Sequence, residues 1–213
     1  KAVTGDDKKI SKHFKDINKK QRIAKGVTLF RWSEKALMDY ADDFSRLSDM
    51  VENTAEGVVD KCKEYHRLKD TEYLRRKKLL ADAWTAAFFV PLNDNRYQVP
   101  TSEVIMGLAE DICPPDAMIK KIEEFAHKHK FFHWYLEFPE VFAEGGFDVV
   151  LGNPPWEKVQ IEEIPFFSLH RPDLDLRIAS KRKMIIKHIS EEDPILYNQW
   201  LDYKMSHEKE SKF

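Results

Sequence analysis

The sequence is poor in the residues on which several common protein classes depend. It has only 2 cysteines, Cys62 and Cys113, and 7 glycines in 213 residues. Because the cysteines lie far apart and neither belongs to a CxxC pair, a disulfide framework or a zinc ribbon is excluded, and we expect both side chains to be buried. Apolar runs are too short to span a bilayer, and the polar start lacks the pattern of a signal peptide. A soluble protein of the cytoplasm, without a membrane partner, is therefore the expectation.

An excess of charge of one sign is also lacking. The 35 Lys+Arg and 37 Asp+Glu residues give a formal net charge of -2, which excludes a uniformly basic coat for nucleic acid. The 42% of hydrophobic residues are enough for one substantial core or two small ones. The sequence begins and stops inside charged stretches, and we expect it to be an internal fragment of a longer polypeptide.

Helical periodicity dominates the first 130 residues. A basic amphipathic arm comes first, and Ser33 then precedes the clearest helical pattern in the chain. We expect residues 1–130 to form a helical region that is an insertion or a helical subdomain of a larger fold, with the three helices between residues 34 and 91 as an antiparallel bundle. The predicted helices cover residues 1–25, 34–51, 55–68, 71–91 and 104–111, with one more from Asp116 to about residue 126.

The character of the sequence changes at Phe131. Residues 131–142, FFHWYLEFPEVF, are dense in aromatic side chains, which favours a strand or a packed loop within the core. Gly145 and Gly146 then predict a turn, and residues 147–152, FDVVLG, have the pattern of a short buried parallel strand. Residues 131–167 are therefore expected to form a separate, sheet-containing segment.

The predicted strand ends in Asn153-Pro154-Pro155-Trp156, which has the chemistry to bind an amino group on an aromatic ring. Such an amino group is a weak nucleophile, because its lone pair is delocalised into the ring. Two acceptors, the side-chain oxygen of Asn153 and the carbonyl of Pro154, can take its two N–H bonds and favour a more tetrahedral nitrogen. Pro155 fixes the backbone, and Trp156 offers a flat surface for stacking a flipped base.

This part of the chain resembles a known enzyme family. Residues 147–156, FDVVLGNPPW, look like motif IV of the amino-group DNA methyltransferases, whose adenine-N6 members carry Asn/Asp/Ser-Pro-Pro-Tyr/Phe/Trp. Two upstream blocks are similar to the large single-chain methylases of type II restriction-modification and related phage-defence systems. These blocks are residues 81–89, ADAWTAAFF, and residues 133–142, HWYLEFPEVF. The resemblance covers roughly residues 79–167.

The resemblance implies a fold class, an activity and a set of site residues. The fold would be an α-rich α/β protein, with a helical bundle-like region and a partial class I, Rossmann-like methyltransferase sheet. The activity would be transfer of methyl from S-adenosylmethionine to adenine N6 in specific sites of double-stranded DNA. The implied catalytic residues are Asn153, Pro154, Pro155 and Trp156, of which Asn153 and Trp156 would contact the base.

One departure from the family pattern limits what this chain can do alone. The family's glycine-rich cofactor loop should lie upstream of the motif, but Gly5, Gly26 and Gly57 stand alone. We therefore expect the main binding loop for S-adenosylmethionine to lie in the rest of the parent polypeptide. A protein-glutamine or RNA methyltransferase with the same loop remains an alternative, as does a helical interaction module without catalysis.

The remaining candidates are a basic helix and a group of histidines. Residues 168–213 are expected to be a truncated basic helical segment, in which Lys181, Arg182 and Lys183 are candidate contacts to the DNA backbone. His129 and His133 would share one helix face at i, i+4 spacing. Because no acidic or cysteine partner accompanies them at ligand spacing, no metal site is expected.

Overall fold

The structure is a computed structural model that describes residues 3–25, 34–92, 99–153 and 161–211, without the side chains of residues 22–25, 34–39 and 180. It divides into two compact units. The first, here the central unit, comprises the described parts of residues 14–90 and 97–153. The second, the terminal unit, comprises the described parts of residues 1–13, 91–96 and 154–213. The division of the sequence into residues 1–130, 131–167 and 168–213 stays a prediction.

Every regular element in the described ranges is an α-helix, and none of these helices is long and apolar enough to cross a bilayer. The helices predicted within residues 1–126 are confirmed, with ends that differ by a few residues. The helices are α1 (Lys8–Lys25), α2 (Glu34–Ser48), α3 (Ala55–Lys69), α4 (Glu72–Ala86), α5 (Ser102–Ala109), α6 (Asp116–His129), α7 (Trp134–Glu137), α8 (Pro139–Ala143), α9 (Glu163–His170), α10 (Ala179–Glu192) and α11 (Pro194–Glu210).

Side-chain caps set the beginnings of several helices. Thr54 accepts a hydrogen bond from the backbone N–H of Gly57 at the start of α3, and Thr71 does the same for Leu74 at the start of α4. At the start of α11, Asp193 accepts from the N–H of Leu196. These caps satisfy backbone donors that have no partner within the helix, so short polar residues in the sequence fix where the helices begin.

The core of the central unit is built on α2, α3 and α4. Tyr40 and Phe44 from α2 lie against Leu68, Leu74 and the α7 residue Leu136, all almost fully buried. On another part of α4, Ala83 and Ala86 have no exposed surface, and small side chains there let α5 and α6 approach closely. The helix α4 is therefore in contact with each of α3, α5, α6 and α7.

The terminal unit has its own smaller core. Phe167 of α9 and Ile189 of α10 are fully buried and pack with Leu176, Leu196 and Trp200. Aromatic rings dominate it, with the rings of Phe167 and Trp200 5.1 Å apart between centroids.

The predicted class I sheet is wrong for the described residues, which form no strand at all. In the segment proposed as a buried strand, Val149 is 70% exposed, Val150 69% and Leu151 92%. The β-branched residues of this segment disfavour a helix, and the segment is indeed not helical. A strand also needs a neighbour that pairs with its N–H and C=O groups, and the described residues supply none. The α/β fold class is therefore replaced by an all-helical one in this part of the chain.

Two further expectations are corrected. The segment of residues 131–142 contains α7 and most of α8 rather than a strand or packed loop. Pro139 is well suited to the first turn of a helix, and the hydrogen bonds of a helical turn need only residues that are close in sequence. Cys62 and Cys113 are exposed rather than buried. Cysteine's preference for the interior is only statistical, and here both residues fall on the outer side of their segments.

Two tyrosines make the stability of the central unit sensitive to alkaline pH. Burial, followed by the charge of Glu137, raises the pKa of Tyr40 far above its ordinary value. Burial, followed by the charge of Asp82, raises the pKa of Tyr135 to about 12. Because the folded state keeps these protons longer than the unfolded state, their stabilisation is complete below about pH 10 and is lost as the pH rises towards 12.

We expect the free energy of unfolding, measured by urea titration, to fall between pH 9 and pH 11. In the variant Tyr135→Phe the fall should be smaller by about 1 kcal/mol, since that side chain has no proton to lose. If the free energy of unfolding falls equally with pH in the variant and in the unmodified chain, Tyr135 does not contribute to the pH dependence.

Candidate functional site

The loop that leads to the predicted motif begins at a glycine turn. Gly145 and Gly146 have φ of +106° and +108°, values that disfavour any residue with a Cβ, and the N–H of Gly146 donates to the carbonyl of Val141 over 2.9 Å. The turn predicted at these glycines is confirmed. It reverses the chain after α8 and brings residues 147–153 to the surface of the central unit.

Of the four motif residues, Asn153 lies within the described part of the chain and its side chain is exposed. Pro154, Pro155 and Trp156 lie outside the described residues. An exposed amide at the end of a surface loop can reach an external ligand. The roles assigned to all four residues stay predictions.

An aromatic cluster holds the beginning of this loop. The ring of Phe147 makes edge-to-face contacts with Trp134, Phe138 and Phe142, with centroid distances of 5.8, 5.5 and 5.9 Å. The sequence predicted these aromatic residues as core, but Trp134 is 50% exposed. The cluster therefore anchors the loop at Phe147 while leaving apolar surface open to solvent.

A buried carboxylate joins α4 to the segment that starts α7. The carboxylate of Asp82, 2% exposed, lies 2.8 Å from Nε2 of His133. It also accepts a hydrogen bond from Nζ of Lys78, one turn earlier on α4, over 2.5 Å. A buried carboxylate is costly unless it is paired, and here both of its oxygens have a partner. Asp82 therefore links the two blocks at residues 81–89 and 133–142.

Sequence reasoning did not single out this pair. The two residues are 51 positions apart, so no local spacing connects them. A weak signal exists in hindsight, because Asp82 lies between Ala81 and Ala83 on the apolar side of a helix, where a carboxylate needs a partner. Only the packing of α7 against α4 identifies that partner as His133.

The histidines considered as metal ligands have other roles. Lys130 adopts a left-handed conformation that ends α6, so His129 and His133 do not share a helix face. The ring of His129 stacks on Phe125, with 3° between the planes, and lies 4.4 Å from the ring of Phe89. In the described ranges, no group of three or more His, Cys, Asp or Glu residues has the geometry to hold a metal ion.

The basic residues proposed to contact DNA lie at the beginning of α10. Lys181 and Lys183 are exposed, with no ion pair among the described contacts. Arg182 differs, because its Nε lies 3.3 Å from the Glu163 carboxylate of α9 and its side chain is 20% exposed. Two of the three cations thus face solvent, and one is held within the terminal unit.

The model of the family described as "Eco57I restriction-modification methylase" matches residues 61–183, more than half of the chain. The chain belongs to the Eco57I restriction-modification methylase family. The matched range contains Asp82, His133, the Asn153–Trp156 motif and the basic start of α10. No curated protein and no solved structure matches the chain. Membership in this family assigns the chain to the methylases of restriction-modification systems, which confirms the coarser part of the resemblance.

We expect Asp82→Asn to lower the free energy of unfolding by about 2 kcal/mol, because the negative charge and one of the two acceptor oxygens used by Lys78 and His133 are lost in a buried site. Asp60→Asn is the matched control. Asp60 pairs with Lys63 on the surface of α3, and its loss should change stability by no more than about 0.5 kcal/mol. Urea unfolding followed by circular dichroism measures both, and equal effects would remove the special role of Asp82.

Proposed function

We propose that this chain is the part of a DNA adenine-N6 methyltransferase that holds the target amino group. The observation that carries the proposal is the family match over residues 61–183, which encloses the sequence FDVVLGNPPW at residues 147–156. The methyl donor would be S-adenosylmethionine and the partner double-stranded DNA of a restriction-modification or phage-defence system. Transfer to an amino group needs a nucleophilic nitrogen, and the motif is chemically suited to one.

Asn153 and Pro154 would act by accepting the two N–H bonds of the adenine amino group. Each accepted hydrogen bond favours a pyramidal nitrogen, whose lone pair is then less delocalised and more nucleophilic. The exposure of Asn153 supports this role, since an amide already at the surface can meet a base without unpacking a core. Pro155 would restrict the loop, which lowers the cost of aligning both acceptors.

Trp156 would stack against the base after it leaves the duplex. An adenine N6 inside a base pair is hydrogen-bonded and inaccessible, so the enzyme must extrude the nucleotide. A flat indole next to the two acceptors repays part of the lost stacking. The aromatic anchoring of Phe147 supports the proposal, because it fixes the beginning of the loop that carries these residues.

The described residues do not fit a binding site for S-adenosylmethionine. Such sites use a glycine-rich loop between a strand and a helix, and these residues contain no strand. The two adjacent glycines, Gly145 and Gly146, form the turn after α8 instead. We therefore derive no step through the cofactor here, and propose that the parent polypeptide binds it outside this chain.

Lys181 and Lys183 would contact the DNA backbone. Both are exposed cations at the beginning of α10, and release of counterions from phosphates provides most of the sequence-independent affinity of such contacts. Arg182 would contribute less, because its guanidinium is paired with Glu163.

In the natural polypeptide that contains this chain, we expect Asn153→Ala to lower methyl transfer by at least about a hundredfold while folding is intact, since an acceptor at the reacting nitrogen is lost. Transfer from labelled S-adenosylmethionine is measured with DNA, RNA and protein offered together, followed by digestion and mass spectrometry. Asn198→Ala, an exposed asparagine on α11, is the matched control and should retain full activity.

The product decides between the substrates. Label in N6-methyladenine from DNA supports the proposal, while label in RNA or protein keeps the loop chemistry and overturns the substrate. Near-normal transfer by Asn153→Ala would overturn the role of this residue, and no transfer by the unmodified polypeptide would favour an interaction module.

For DNA binding, we expect Lys183→Gln to reduce the slope of log affinity against log salt by about 1, because one phosphate contact is lost. Arg182→Gln removes the same charge from a paired position and should leave the slope nearly unchanged. Fluorescence anisotropy with a duplex at several salt concentrations measures both slopes. A larger effect of Arg182→Gln would reverse the assignment of the contacts.

A further inference from the structure

A small pocket of the central unit lies beside the Asp82–His133 pair. Its volume is about 220 Å³, and its apolar wall is formed by Leu74, Phe131 and Leu136. His133, the partner of Asp82, also lines it. Leu74 and Leu136 in its apolar wall belong to the core of the central unit, whereas Arg75 and Lys78 are exposed.

Positive charge dominates the lining of the pocket. Lys69, Arg75 and Lys78 stand against the single carboxylate of Glu137, which gives a net charge of +2 with His133 neutral. The other nearby carboxylate, Asp82, is buried behind Lys78 and already accepts from it. Lys69 and Lys78 are each paired with one carboxylate, whereas Arg75 has no carboxylate partner among the described contacts, so the recess keeps positive charge that an anion could neutralise.

Each of the three cations makes a hydrogen bond within the central unit and retains further donors. Nζ of Lys69 donates to Glu137 over 2.6 Å and to the carbonyl of Leu136 over 3.3 Å. The Nε and Nη2 atoms of Arg75 donate to the carbonyl of Asp70, and Lys78 uses one of its three donors on Asp82.

The size and charge of the pocket select a class of ligand. Its volume lies below the range of roughly 300–1,000 Å³ that is usual for drug-sized ligands, so a nucleoside cofactor would not fit inside it. A net charge of +2 matches a phosphate dianion, and an arginine with two lysines is the donor set that phosphate prefers.

We propose that this pocket binds a phosphate group, supplied either by a small phosphorylated molecule or by the backbone of DNA. The proposal stands on the charge and geometry of the central unit and does not rest on the methyltransferase function. It adds a ligand site that is separate from the exposed motif loop.

The test is a titration of the unmodified chain with inorganic phosphate at constant ionic strength, followed by amide chemical shifts in ¹H–¹⁵N spectra. We expect saturable shifts at His133 and Leu136. Arg75→Ala should weaken binding by about tenfold, the loss expected for one charge-assisted hydrogen bond. Arg76→Ala is the matched control, because the neighbouring Arg76 pairs with Glu72 and Asp111 outside the pocket. This variant should bind phosphate with unchanged affinity.

A second variant protects the test against loss of folding. Glu137→Gln removes the one carboxylate of the lining while keeping its shape, so phosphate should bind several-fold more tightly, by about 1 kcal/mol or less. Misfolding cannot produce such a gain. Linear shifts without saturation, or equal affinities in Arg75→Ala and Arg76→Ala, would overturn the proposal.

The source of the phosphate is decided by a second titration with duplex DNA. If Arg75→Ala weakens DNA binding as well, and Arg76→Ala does not, the pocket takes a backbone phosphate. If only binding of inorganic phosphate depends on Arg75, the ligand is a small phosphorylated molecule. Both results support a phosphate site. If neither phosphate binding nor DNA binding changes in Arg75→Ala, the proposal is contradicted.

Discussion

The buried carboxylate of Asp82 is the constraint on which the central unit depends. It stands on α4, the helix that contacts α3, α5, α6 and α7, and it binds His133 at the start of the segment that leads to the motif loop. A charge in this position is tolerated only because Lys78 and His133 pair with it. Lys78 and His133, the two partners of Asp82, also line the pocket of the central unit. The residues that stabilise the buried charge are therefore also residues of the candidate phosphate site.

From this link, the chain passes to the motif through short helices and aromatic contacts. The helices α7 and α8 are too short to be stable alone. They are held by Leu136 in the core of the central unit, by packing of α8 on α2, and by the rings of Trp134, Phe138 and Phe142 around Phe147. Beyond Phe147 the apolar side chains of Val149, Val150 and Leu151 are exposed to solvent. Asn153, the residue proposed to meet the substrate, follows this exposed stretch.

The two candidate sites of the chain differ in how they are built. The motif loop offers the exposed, neutral amide of Asn153, which we propose to accept from an amino group that arrives from outside. The pocket of the central unit offers cationic side chains around a recess, suited to an anion. Family membership covers both, because the match over residues 61–183 includes α4, α7 and the motif. Methylation and phosphate binding can therefore be tested by substitutions that do not overlap.

The sequence by itself determined the helices and the chemistry of the motif. The period of apolar residues and caps such as Thr71 are local properties, and the acceptors of Asn153 and Pro154 follow from residue type alone. Only the tertiary structure decided that residues 147–152 have no strand partner among the described residues and that Asp82 meets His133. Both are contacts between distant parts of the chain, and a local pattern shows that a residue needs a partner without showing which partner it finds.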